Sequence, residues 1–217
     1  YQPDNAVLTV AGRFDERKVL NWVAQSFGKI PKPKRTLPTL WTVEPTHDGE
    51  RTVAVRRKGE IQMVVVGYRL PSTLHPDYSA AAMAADILAD TPAGRLHKAL
   101  VEPGKAAQVF AFTIDGRDPA FVLFGAVVKK GEQLEPVAQT LIETIEGAFA
   151  KTPATEEEMK RQIQQQLTAF DRALSDPKSF GVGLSEYIAL GDWRLFFLFR
   201  DQLEKLKTTG VDEAAQR

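Results

Sequence analysis

Apolar positions recur along this chain with several different periods, and each period predicts its own element. Residues 6–12, Ala-Val-Leu-Thr-Val-Ala-Gly, form a short β-rich run. Asp15 then stands where a side chain can cap a helix. The stripe of that helix is Val19, Leu20, Trp22, Val23 and Phe27, and Gly28 stops it. Residues 29–41 carry Pro31, Pro33 and Pro38 among basic side chains. Proline withholds ladder donors and breaks helices, so this stretch reads as an extended surface linker. A lobe boundary is expected here, with residues 1–40 as a strand-helix unit plus linker and residues 41–217 as the main lobe.

Beyond the linker, residues 51–57 alternate, Val53 and Val55 against Arg51, Thr52, Arg56 and Arg57, which predicts a strand. Lys58-Gly59-Glu60 makes a turn. The nearly continuous apolar run 61–70 then has the character of a central strand. The Ala-rich stretch 77–88 predicts a helix with little side-chain bulk, suited to close packing. Residues 94–100 give a shorter helix, and 107–114 with 121–128 predict a hairpin around the turn-rich joint 115–119.

The last third is helical. Val137, Leu141, Ile145 and Phe149 recur every four residues, and Met159, Ile163, Leu167, Phe170 and Leu174 continue at spacings of four and three, as core stripes do. Gln162, Gln164, Gln165 and Gln166 read as the solvated face of the second helix. Gly181-Val182-Gly183 reads as a break. Residues 193–207 resume a helix in which Leu195, Phe196, Phe197, Leu198 and Phe199 predict buried packing. The order of elements defines a two-layer α/β domain, and its two strand-helix halves hint at duplication without a clean repeat.

Charge and composition narrow the function. The 28 basic and 28 acidic residues cancel, so no global field draws nucleic acid or an anionic membrane. A 43% hydrophobic chain of 217 residues buries a sizeable core. The absence of cysteine excludes disulfides and thiol catalysis. No apolar run approaches the roughly 20 residues of a helical membrane span. The chain opens at Tyr1 with neither an initiator Met nor a charged, apolar leader, as an excised piece would.

The same residues leave little for chemistry. Catalytic zinc takes three ligands from His, Cys, Asp or Glu, commonly with two on one helix face. Here His47, His75 and His97 lie far apart, and His97 and Glu102 are five positions apart, which does not stack them on a helix. Glu156-Glu157-Glu158 suits the N-terminal end of a helix dipole better than a cation. Arg56-Arg57-Lys58 lacks the aromatic partners of a single-strand binder. Ser72 and Ser185 have no His and Asp companions in view. Gly94-Arg95 and Gly181-x-Gly183 are not phosphate cradles and read as flexible loops. No residue is therefore assigned a catalytic, cofactor-binding or metal-binding role.

Five weak motifs occur in a telling order. These are residues 1–15, ending Asn5-Ala6-Val7-Leu8-Thr9-Val10-Ala11-Gly12-Arg13-Phe14-Asp15; Phe27-Gly28-Lys29-Ile30-Pro31-Lys32-Pro33; Gln62 to Pro71; Gly94-Arg95-Leu96-His97-Lys98-Ala99-Leu100-Val101-Glu102; and Gly191-Asp192-Trp193. Together they resemble the pitrilysin/insulinase family of zinc metallopeptidases along essentially the whole chain.

The resemblance implies that each lobe is an antiparallel sheet layered with helices, and that lobes enclose a peptide chamber. The zinc motif, an inverted H-x-x-E-H with a further Glu, would lie in a lobe preceding Tyr1. This chain would be the adjoining non-zinc lobe, inactive alone, with zinc in the upstream lobe. Its partners would be that lobe, a second half of the same protein and a peptide substrate. Some members carry a substrate-contacting Arg and Tyr in the corresponding stretch of a partner half. Val101 stands at that Arg position and no Tyr is near, so no such role is carried over. The alternative is a non-enzymatic scaffold subunit of the same descent. Bacterial periplasm and cytoplasm both fit the family.

Overall fold

The computed structural model describes residues 3–38 and 48–217. The chain divides into two compact units, Tyr1–Lys58 and Gly59–Arg217. His47 and the end of the proline-rich stretch, residues 39–41, lie outside the described residues.

The first unit is built around α1, Glu16–Phe27. Asp15 caps it by accepting from the Lys18 N–H at 3.1 Å, and the Gly28 N–H closes it on the Ala24 carbonyl. The predicted stripe is present but uncovered, with Leu20, Trp22 and Phe27 each more than half exposed. Asp4 and Arg35 form a bidentate pair at 3.0 and 3.1 Å that joins the start of the unit to the proline-rich stretch after α1. Residues 6–12 and 51–57 are not strands here, contrary to their patterns. A strand exists only through ladder partners, and no described segment pairs with either run.

The second unit carries a three-stranded antiparallel sheet in the order β1-β3-β2, with β1 at Gln62–Ser72, β2 at Gln108–Ile114 and β3 at Pro119–Val128. The predicted hairpin is β2-β3. The apolar run expected to be central is instead the edge strand β1, and β3 is central because both neighbours pair with it. In β1, half-buried positions alternate with exposed ones, as at an edge with one covered face. Its register shifts at the end, between Leu70 and Ser72, where Pro71 has no N–H to give.

Helices cover one face of this sheet. On that face Val64, Val66 and Tyr68 of β1 and Val122, Phe124 and Ala126 of β3 meet Met83, Ile87, Leu100 and Leu141. The helix α2, Tyr78–Ala89, presents Ala80, Ala81, Ala84 and Ala85, all buried, so its backbone approaches both the sheet and α7. Complete burial of a side chain such as Leu141 contributes about 2 kcal/mol. After α2 comes a turn of wide, π-type winding at His97–Val101, closed by the Glu102 N–H on the His97 carbonyl.

The helical layer is completed by α3, Glu135–Lys151, α4, Glu156–Ser175, α5, Pro177–Leu190, α6, Leu195–Leu203, and α7, Thr208–Gln216. Gly181 and Gly183 do not break a helix; they lie inside α5. The break falls at Asp176, whose carboxylate accepts from the Ser179 N–H to start a new helix with Pro177 in its first turn. A Cβ on Gly183 would sit 3.5 Å from Phe196, an ordinary contact distance, so the position faces α6 without demanding glycine. Gly191, at φ +109, ends α5 in the left-handed region.

Candidate functional site

Of the described residues considered for chemistry, His75, Ser72 and Ser185 have structural occupations. Nδ1 of His75 accepts from the Asp77 N–H at 3.1 Å. His97 lies 4.0 Å from Glu102, and its Nδ1 is buried without a hydrogen-bond partner. Among the described residues, no three His, Asp or Glu side chains converge to hold a metal ion. The Ser72 hydroxyl donates to the Arg117 carbonyl at 2.6 Å, and the Ser185 hydroxyl donates to the Val182 carbonyl at 2.6 Å. Ser72 anchors the hairpin loop, and Ser185 bonds back along its own helix, α5. Thr73 holds the same hairpin loop by exchanging two hydrogen bonds with Gly116, both 3.1 Å, and the Tyr78 hydroxyl donates to Asp115.

The densest polar junction surrounds Arg95. Its Nε donates to Glu158 at 2.9 Å, Nη1 to the Ala148 and Thr152 carbonyls at 3.1 and 2.6 Å, and Nη2 to the Pro153 carbonyl and Glu158 at 3.0 and 2.8 Å. The guanidinium also stacks 4.6 Å from the Phe149 ring centre. Glu158 simultaneously closes the capping box of α4 with Thr155. Although burial pushes its carboxyl upward, the bonds from Arg95 and Thr155 prevail and hold it at about 2.

A cavity of about 510 Å³ opens beside this junction, lined in part by Lys98, Glu143, Gly147 and Lys151. All five N–H donors of Arg95 are already taken, so the cation at its wall offers nothing to a ligand. The junction ties the C-terminus of α3 to the N-terminus of α4. Gly94 is equally fixed, because a Cβ there would fall 2.2 Å from the Asp90 carbonyl oxygen. The flexible-loop reading of Gly94-Arg95 is therefore overturned: the pair needs glycine for close approach and arginine for a complete donor set.

A second correction concerns the glutamine face of α4. Gln162 is 4% exposed, Gln165 donates to Asp90 at 3.3 Å and Gln166 donates to Asp86 at 2.7 Å. Arg161 also pairs with Asp90 at 2.6 Å. Gln164 and Gln165 are exposed, as a solvated face predicts, and Gln164 bonds within its own helix to Thr168. The Ala-rich α2 carries two acids, Asp86 and Asp90, on the side that α4 covers, and the glutamines answer them.

The remaining feature is the outer face of the sheet. Met63 and Val65 of β1 and Phe112 and Ile114 of β2 are each about half exposed, at 50, 46, 49 and 50%. The register sets Ile114 opposite Phe121 and Phe112 opposite Leu123, and on the other side of β3 it sets Val65 opposite Gly125 and Met63 opposite Val127. Phe110 leans over Gly125, where a Cβ would meet the ring at 2.1 Å, and Leu123 leans over Gly67, where it would meet Cδ2 at 2.8 Å. Arg69 stands 5.9 Å from the Phe121 ring centre. A signal for this face existed in β2, where Phe110, Phe112 and Ile114 alternate with Val109, Ala111 and Thr113 and thus leave apolar groups on both sides.

The second unit is thus an antiparallel α/β fold with no metal-ligand cluster among its described residues and with an apolar outer sheet face that is about half exposed. Residues 1–166 match the Peptidase M16 inactive domain, and the chain belongs to that family. It is 24% identical, over 99% of its length, to the zinc protease PqqE of Helicobacter pylori, and spans 49% of that protease. Among solved structures, the inactive peptidase domain from Bordetella parapertussis is 43% identical, covering 76% of this chain and 89% of that one with a TM-score of 0.69. A Helicobacter pylori protease shares the fold at a TM-score of 0.84, with 22% identity across 94% of this chain and 50% of its own.

Proposed function

We propose that this chain is the non-catalytic lobe of a pitrilysin-like zinc peptidase, completing and shaping the chamber in which a preceding zinc lobe cleaves peptides. The observation that carries this reading is the inactive-domain match over residues 1–166 in a chain that spans half of a zinc protease. Its contribution would be positional, because holding an extended substrate beside a metal-bound nucleophile raises rate without any added acid, base or ligand. Residues 1–40 would belong physically to the preceding lobe. Support comes from the unpaired run 6–12 and the uncovered stripe of α1, which need a sheet and an apolar surface from elsewhere.

Titrating this chain into a fixed amount of the zinc-loaded preceding lobe tests the proposal. Peptide cleavage should rise with added chain and vanish with chelator. Full turnover by the zinc lobe alone would remove the chamber role, and a pair that associates without any turnover would point to a scaffold.

A further inference from the structure

We infer that the outer face of the β1-β3-β2 sheet is the seat of the other half of the protein; the inference rests on the lobe reading above and names its contact surface. Met63, Val65, Phe112, Ile114, Phe121 and Leu123 share that face by register, and four of them are about half exposed. Among the described strand positions of that face, Arg69 is the charged one. Such contiguous apolar surface marks a contact site in soluble proteins. The opposite face is already covered by the helical layer.

The chemistry of the face selects its occupant. An extended peptide gains affinity from main-chain hydrogen bonds, which a sheet offers at its edges, in its own plane. Across the flat of the sheet there are only side chains. A partner with its own backbone bonds already satisfied, a folded lobe presenting apolar side chains, loses nothing by lying there. The glycines favour close approach, because Gly67 and Gly125 add no side chain of their own and are filled only by the tips of Leu123 and Phe110.

Between a second copy and the other half, length decides. The chain aligns over 99% of its residues with a protease it spans by 49%. A half held on the same polypeptide acts at an effective concentration on the order of millimolar, which a separate copy does not match.

The chain has no cysteine, which gives a clean probe. Single substitutions Phe112→Cys and Ile114→Cys, with Leu198→Cys on α6 as an exposed control, are labelled with a maleimide in this chain alone and in the intact two-half protein. Labelling is read at each site by mass spectrometry, after melting curves establish that the variants fold. Positions 112 and 114 should label rapidly in the chain alone and at least tenfold more slowly in the intact protein, whereas position 198 should label alike in both.

Equal labelling of positions 112 and 114 in the two settings would overturn the inference. Protection of the isolated chain that grows with its own concentration would assign the face to a second copy, and protection that needs added peptide would assign it to substrate; either overturns it. The cleavage titration fails separately: protected thiols without any gain in turnover keep the seat and remove the chamber role, and the reverse result keeps the role and removes the seat.

Discussion

Arg95 and Glu158 meet through two hydrogen bonds of 2.9 and 2.8 Å, and around that pair the remaining donors of the arginine fasten the end of α3 to the start of α4. Lysine carries the same charge but only three donors on a flexible stem, and it cannot reproduce the planar fork or the stacking on Phe149. Arg95→Lys should therefore destabilise by about 2–4 kcal/mol, since buried carbonyls lose their partners. Urea melts of the two proteins check this. A difference below about 0.5 kcal/mol would mean that the junction is ornamental.

The same pair sets an acid limit. Glu158 is held at about 2 against an ordinary 4.5, so the folded state favours the ionised form. The associated stability is fully present above about pH 4.5 and is lost as pH falls from there through about 2. Glu158→Gln should flatten the stability profile in that window while lowering stability at pH 7. Denaturation midpoints measured from pH 2.5 to 7 would show it, and parallel profiles for the two proteins would contradict the assignment.

Asp86 should act in the opposite sense. Loss of water around it pushes its carboxyl up to about 6 from 3.8, against the Gln166 hydrogen bond and aided by the nearby Asp90 charge. The side chain is nonetheless exposed at the surface of α2, and water there weakens the effect. Folded Asp86 binds its proton more tightly than the unfolded chain does, so stability falls as pH rises between about 3.8 and 6. Asp86→Asn should remove that fall and leave the protein at least as stable as wild type at pH 7.5. Urea midpoints at pH 4 and 7.5 decide it.

Two glycines offer a contrast in what surrounds them. At Gly94 an added Cβ meets backbone, the Asp90 carbonyl, whereas at Gly125 it meets the far end of the Phe110 side chain. Backbone cannot step aside, but a ring on a half-exposed face can swing. Gly94→Ala should cost about 2–3 kcal/mol and Gly125→Ala under about 1 kcal/mol. Comparable losses in calorimetry would show that Phe110 is locked rather than draped.

On α4 the expected order is set by burial. Ile163 packs against the core, and Ile163→Asp should destabilise by about 2–4 kcal/mol. Gln162 is 4% exposed and its Nε2 lacks a hydrogen-bond partner, so Gln162→Met should be neutral or stabilising. A large loss on Gln162→Met would mean that the amide oxygen carries more than its nitrogen does.

Helices were readable where local chemistry settles them. Asp15 before α1 and the run Glu156-Glu157-Glu158 in the first turn of α4 mark their starts without reference to any neighbour. The hairpin and the core stripe through Leu141 were equally plain, because period and turn residues agree. The misreadings share a cause, which is dependence on something distant in sequence. Residues 6–12 and 51–57 have strand patterns, but a pattern cannot supply a ladder partner. The run that became β1 is apolar on both faces, which suits a central strand or an edge strand with a covered outer face. Gln162 joined the wrong face because the acids it approaches lie on α2, more than seventy positions away. Arg95 gave no signal of its five-fold use, since three of its bonds go to carbonyls and two to a carboxylate, all brought close only by the fold.

The clasp between Asp4 and Arg35 has a consequence in entropy. The pair is partly open to water and screened, yet it joins residues 31 positions apart. Closing a loop of that length removes many arrangements of the chain between its ends. The run 6–12 and α1 are thereby held in a narrowed ensemble before any partner arrives, and a segment that has already lost its freedom has less to lose when it docks. If residues 1–40 dock on a preceding lobe as proposed, Arg35→Ala would leave the helix intact and slow that docking, an effect felt in association rate and in protease resistance rather than in any melting curve of the main lobe.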